Sequence, residues 1–221
     1  MTDELTPIAQ YMRDEMANNA ASDDVRRMRE NNNFSGETCI AEYQQLPFWR
    51  QLLGLGIPPD QCMNMEMSAR SAALISWGLK VRQNGDWDHK PIIARTFHPR
   101  VPTGQQNWHL YNTTLYYYDV WSNIHYGYVG KAAGFSDSVL LDGAGLEQIG
   151  STLLRFSRPQ RDATTSGLRA WDDPSDRAGI EIGINLYRRY PTGLTTQNVL
   201  DAVLTATNIT KKPFAQGATG R

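Results

Sequence analysis

Around Trp121 the sequence changes period. The run TTLYYYDVW (113–121) is dense in β-branched and aromatic residues, the composition of a half-buried strand. The run after it, IHYGYVGKAAGF (124–135), places Ile124, Tyr128 and Ala132 four residues apart, on one face of a helix. Strand and helix thus follow each other directly, and both need apolar partners from elsewhere in the chain. With 221 residues the chain can bury a core without metals or disulfides.

Those partners are expected on both sides. Residues 5–30 read as a helix, with Thr6 as cap, Pro7 in its first turn, and Ile8, Met12 and Met16 as a buried stripe. NNNFSG (31–36) closes this N-terminal segment, 5–36. Residues 37–65 read as irregular, because Pro47, Gly54, Gly56, Pro58 and Pro59 interrupt them. Residues 65–82 read as a helix running into a strand. A sheet region is expected over 87–121, pairing PIIARTF (91–97) with 113–121, with NWHLY (107–111) beside them. Residues 122–206 read as helical. Ser136 caps one helix, and Asp172 or Asp173 with Pro174 at the first position starts another. Ile180, Ile184 and Tyr187 form the stripe of that helix, and a last one follows Thr195 and Thr196. Residues 207–221 read as a flexible tail. The expected fold class is α+β: mostly helical, with a small antiparallel, aromatic-rich sheet in the middle of the chain.

Charge and motifs narrow the function. The 22 Lys+Arg and 23 Asp+Glu leave a formal charge of -1, so the basic surplus usual in nonspecific nucleic-acid binders is absent. The phosphate-loop, dinucleotide, zincin and nucleophile-elbow signatures are absent too, and no cofactor or metal is expected. No apolar run is long enough for a transmembrane segment, and the acidic N-terminus does not resemble a cleaved signal peptide. Cys39 and Cys62 read as plain thiols, with a single bridge between them left open.

Three clusters carry chemistry. In WDHKP (87–91), His89 is a substrate-binding candidate within what also reads as a polar turn. In YYYDVWSNIHYGYVGK (116–131), Asp119 ends the expected strand and His125 opens the expected helix. Histidine is the natural general acid/base near neutral pH, and an aspartate within reach would orient its ring. Asp119, His125, Tyr126 and Lys131 are therefore catalytic candidates, and Trp121 and Asn123 substrate contacts; the same aromatics could simply fill a core. In RAWDDPSDR (169–177), Asp172 and Asp173 are further catalytic candidates, with Arg169, Trp171 and Asp176 as substrate contacts, although these residues also make a complete helix start. Glu147, between Leu146 and Ile149, is a weaker candidate for a glycosidase acid.

The runs YYYDVWSNIHYGYVGKAAGFSDSVLLDGAGLEQIG and GLRAWDDPSDRAGIEIGINLY resemble the bacterial polymorphic-toxin type 44 domain, and TPIAQYMRDEM and WDHKP resemble its N-terminal part. The resemblance covers roughly 5–205 and is weakest over 31–65. It implies one toxin-effector domain over 1–221, used in competition between bacteria. It also implies delivery by a secretion system into a target cell and neutralisation in the producer by a cognate immunity protein. The family is described as a predicted ribonuclease. Its hallmark runs map onto Asp119, His125, Tyr126, Asp172, Asp173 and Asp176, and Lys131 stands where arginine is expected.

Three readings follow. The first is a metal-independent ribonuclease with His125 as general acid/base and Lys131 or Arg169 stabilising the phosphorane. The second is a peptidoglycan-degrading enzyme of the periplasm, for which six Trp and ten Tyr would suit sugar stacking and a carboxylate would be the acid. The third is a non-enzymatic binding or immunity module.

Overall fold

A computed structural model describes residues 2–99, 107–141 and 174–214. It is mostly helical with a three-stranded antiparallel sheet, the α+β class expected from the sequence.

The N-terminal segment is two helices, α1 (Leu5–Ala20) and α2 (Asp23–Asn33). The break falls at Ser22, whose hydroxyl caps α2 by accepting from the Val25 N–H at 3.3 Å. Asp3, rather than Thr6, caps α1: its carboxylate accepts from the backbone N–H groups of Leu5 and Thr6 at 3.1 and 2.9 Å. The stretch expected to be irregular is also helical: α3 (Gly36–Gln44), α4 (Phe48–Leu52) and the start of α5 (Pro59–Val81). Its prolines punctuate these helices without interrupting them. Pro47 and Pro58 are N-caps and Pro59 opens α5, where a missing N–H costs nothing. Cys39 and Cys62 form a disulfide across α3 and α5 with a Cα–Cα distance of 5.8 Å, so the plain-thiol reading gives way to the bridge.

PIIARTF is the clearest correction. It forms α6 (Lys90–Thr96), with Pro91 in the first turn, despite its β-branched pair. The strand signal there was local propensity, which a proline at a helix start outweighs. The sheet pairs β1 (Trp108–Tyr111) with β2 (Thr114–Tyr117), Trp108 opposite Tyr117, around a turn in which Asn112 adopts φ 54°. Its third strand, β3 (Lys211–Pro213), comes from what read as the flexible tail and pairs with β2.

The chain then turns at once into α7 (Asp119–Ala132). Asp119 therefore begins the helix instead of ending the strand, and His125 lies in mid-helix. From Val120 to Ala132 only Ser122 and Lys131 escape full burial, so α7 is apolar-packed on every side and not along one stripe. Around it pack α1, α6, α8 (Asp137–Leu141) and α9 (Pro174–Arg189). The α7–α9 crossing is built on glycines. A Cβ on Gly127 would collide with the Ile180 carbonyl oxygen, and one on Gly183 with that of Ile124. Ile180 and Ile184 are buried as expected, with Tyr187 half-buried beside them. Finally α10 (Thr196–Thr205) begins with a capping box in which Thr195 and Asn198 exchange hydrogen bonds, and it buries Val199, Leu200 and Val203.

Candidate active site

The sequence separates His89 from His125 by a sheet and a turn, yet the fold brings them into contact. Their ring centroids lie 4.2 Å apart at an interplanar angle of 65°. His89 immediately precedes α6 and His125 is central in α7; they are 0% and 1% exposed. Trp87 stands edge-on to His125 at 6.1 Å.

Each ring is held by α1. The Tyr11 hydroxyl meets Nδ1 of His89 at 2.9 Å. Asn19 Nδ2 meets Nε2 of His125 at 2.9 Å and Glu15 Oε2 at 3.4 Å. A carboxylate can only accept, so the Asn19 amide group is the donor to both. Nε2 of His125 is then an acceptor, and its proton sits on Nδ1. Nε2 of His89 is buried without a hydrogen-bond partner among the described residues, a rare state for a buried ring nitrogen. Tyr11, Glu15 and Asn19 recur every four residues along one face of α1, and all three are half-buried. They were not among the residues singled out from the sequence, although their fourfold spacing beside the Met12 and Met16 stripe is legible there.

Burial dominates the electrostatics. Desolvation lowers His89 to about 4 and holds His125 well below the usual imidazole value, and the neighbouring ring adds to the effect at His125. Both are neutral at pH 7, and the pair disfavours a second proton. Desolvation also raises the Tyr11 hydroxyl to about 12.

The other candidates are placed as follows. Asn123 donates to Asp176 at 2.6 Å, joining α7 to the first turn of α9, where the helix dipole favours a carboxylate. Gly179 makes room for this pair, since a Cβ there would meet that of Asn123 at 2.6 Å. Asp119 lies six residues before His125 on another face of α7, and among the described residues it is Asn19 that holds the ring. Tyr126 is buried edge-on against Trp77 at 5.0 Å, with its hydroxyl raised to about 12 by desolvation. Trp121 is a core side chain. Lys131 closes the C-terminal end of α7: it donates to the Phe135 carbonyl at 3.0 Å and pairs with Asp137 at 2.9 Å. Asp137 also pairs with Arg188, and these two cations, Lys131 first, lower its carboxyl pKa. Glu147, Arg169, Trp171, Asp172 and Asp173 lie outside the described residues. Among the described residues no three His, Cys, Asp or Glu side chains are grouped to hold a metal ion.

His89, His125, Asn123 and Asp176 all fall within one stretch that matches toxins delivered to target cells. A family model described as bacterial toxin 44 (Ntox44) matches residues 76–189, just over half of the chain, and the chain belongs to that family. No curated protein and no solved structure matches it.

Proposed function

We propose that this toxin domain is a hydrolase, and that it cleaves RNA without a metal through the His89–His125 pair. The observation that carries the reading is the pair itself: two neutral imidazoles in contact, one with a buried nitrogen that has no partner among the described residues. Unsatisfied, pKa-shifted groups of this kind cluster at functional sites. In this reading His89 Nδ1 donates to Tyr11, and its bare Nε2 takes the proton of the attacking hydroxyl. The pair holds that one proton and returns it to the leaving oxygen. A bound phosphodiester, being anionic, raises the imidazole pKa values towards neutrality as it arrives. Asn19 and Tyr11 are positioning residues.

Nitrogen bases suit this proton traffic better than glycoside hydrolysis, which works with paired carboxylates. Trp77 and Trp121 are fully buried and form no sugar-stacking platform. The domain acts with a cognate immunity protein in the producing cell and reaches its target through a secretion system.

The test is expression in bacteria with and without a periplasmic signal, for the unaltered chain, His89→Gln and His125→Gln, with folding followed by circular dichroism. Killing from the cytoplasm with RNA fragmentation, lost in folded variants, is the expected result. Killing confined to the periplasm would replace the ribonuclease with a cell-wall enzyme. No killing from either side would favour a binding module.

A further inference from the structure

The most exposed apolar surface in the described structure is the tip that α4 makes between α3 and α5. Phe48, Trp49, Leu52 and Leu53 are 77%, 55%, 74% and 67% exposed, and Leu55 and Ile57 continue the surface. No residue of α4 is buried. An apolar face of this kind, unlike scattered surface leucines, marks a contact site.

Its charge indicates what it contacts. Between Glu42 and Asp60 the only charged residue is Arg50, in a chain with 23 carboxylates overall. The guanidinium of Arg50 lies 5.3 Å from the Trp49 ring centroid. An aromatic and aliphatic surface with one cation and no carboxylate matches an anionic lipid headgroup layer over acyl chains.

The tip is held by its own turns: the N–H groups of Arg50 and Gln51 both donate to the Pro47 carbonyl, and the Gln51 side chain donates to the Leu46 carbonyl at 2.8 Å. The Cys39–Cys62 disulfide ties α3 to α5 at the base of the tip.

We propose that the Pro47–Ile57 tip is a membrane-docking element that buries Phe48, Trp49, Leu52 and Leu53 in the interfacial layer of an anionic lipid bilayer. It lies in the surface without spanning it: among the described residues no helix is long and apolar enough to cross a membrane. The proposal does not depend on the reaction assigned to the histidine pair.

The test uses the whole oxidised chain and vesicles of phosphatidylglycerol and phosphatidylethanolamine. The chain is expected to sediment with the vesicles, and brominated acyl chains to quench part of its tryptophan fluorescence. Trp49→Phe should remove most of that quenching. The double variant Leu52→Asp/Leu53→Asp changes only exposed positions and should keep its circular dichroism while binding at least tenfold more weakly. Failure of the unaltered chain to sediment, or equal binding by the double variant, would overturn the proposal. So would a concentration-dependent dimer that the double variant dissolves in the absence of vesicle binding, since the tip would then belong to a second copy of the chain.

Discussion

His89 and His125 meet ring to ring at 4.2 Å in the interior, each held on its outer side by a different residue of α1. Thirty-six positions of sequence separate them, and neither ring has its partner on its own element. The contact therefore couples three helices, α1, α6 and α7, through two titratable groups.

Acid should weaken the fold through this pair. The unfolded imidazole titrates near about 6.5, and burial lowers His89 to about 4 when folded. Between those values the unfolded chain binds a proton that the folded chain refuses, so stability falls as pH drops through this window. The contribution of His89 is fully present above the window and lost below it. For His89 alone the loss is about 3 kcal/mol. Urea midpoints at pH 7.5 and 4.5 measure it, and a folded His89→Gln variant should show a flatter pH dependence. An unchanged slope in that variant would place the sensitivity elsewhere.

The helix crossing makes a sharper prediction. Gly183→Ala should destabilise the chain by about 3 kcal/mol, because backbone atoms of Ile124 and Tyr128 occupy the space its Cβ needs. Gly193 has φ +72°, and no described residue lies within 4 Å of a Cβ added there, so Gly193→Ala should cost only the left-handed backbone penalty, about 1 kcal/mol. Denaturation of the two variants side by side separates backbone collision from backbone strain.

Reduction should loosen the α3–α5 base. The bridge closes a loop across 23 positions, and the loss of that constraint corresponds to about 3 kcal/mol. Thermal unfolding with and without dithiothreitol reads this, and Cys39→Ala/Cys62→Ala should reproduce the reduced curve. Coincident oxidised and reduced curves would mean that packing alone holds the two helices.

Asn19→Ala tests the positioning role. Losing its amide leaves Nε2 of His125 buried without a donor, at a cost of about 1–3 kcal/mol in stability. If the histidine pair is catalytic, toxicity should fall well beyond what the lower stability explains, and Asn19→Gln should rescue it poorly because the longer side chain displaces the amide. Full toxicity in a folded Asn19→Ala variant would detach this hydrogen bond from the activity.

Much of the chain was legible locally. The Met12–Met16 stripe, the Thr195 cap, the Ile180–Ile184 face and the NWHLY pairing each depend on neighbours within a few residues, and each appears in the structure. Errors arose where a local signal had two meanings. The prolines of 47–59 read as breaks but open helices, and the paired isoleucines of 91–97 read as a strand but follow a proline at a helix start. The histidines could be named from the sequence; their partners could not.

By its sequence alone, this chain was determined to be a mostly helical α+β protein resembling a bacterial toxin, with His89 and His125 among its chemical candidates. Only the tertiary structure placed those rings in contact, gave them Tyr11 and Asn19, and closed the Cys39–Cys62 bridge. The physical reason is range. Propensity, caps and periodicity act over a turn or two of chain, whereas the burial that neutralises an imidazole is set by residues about a hundred positions away.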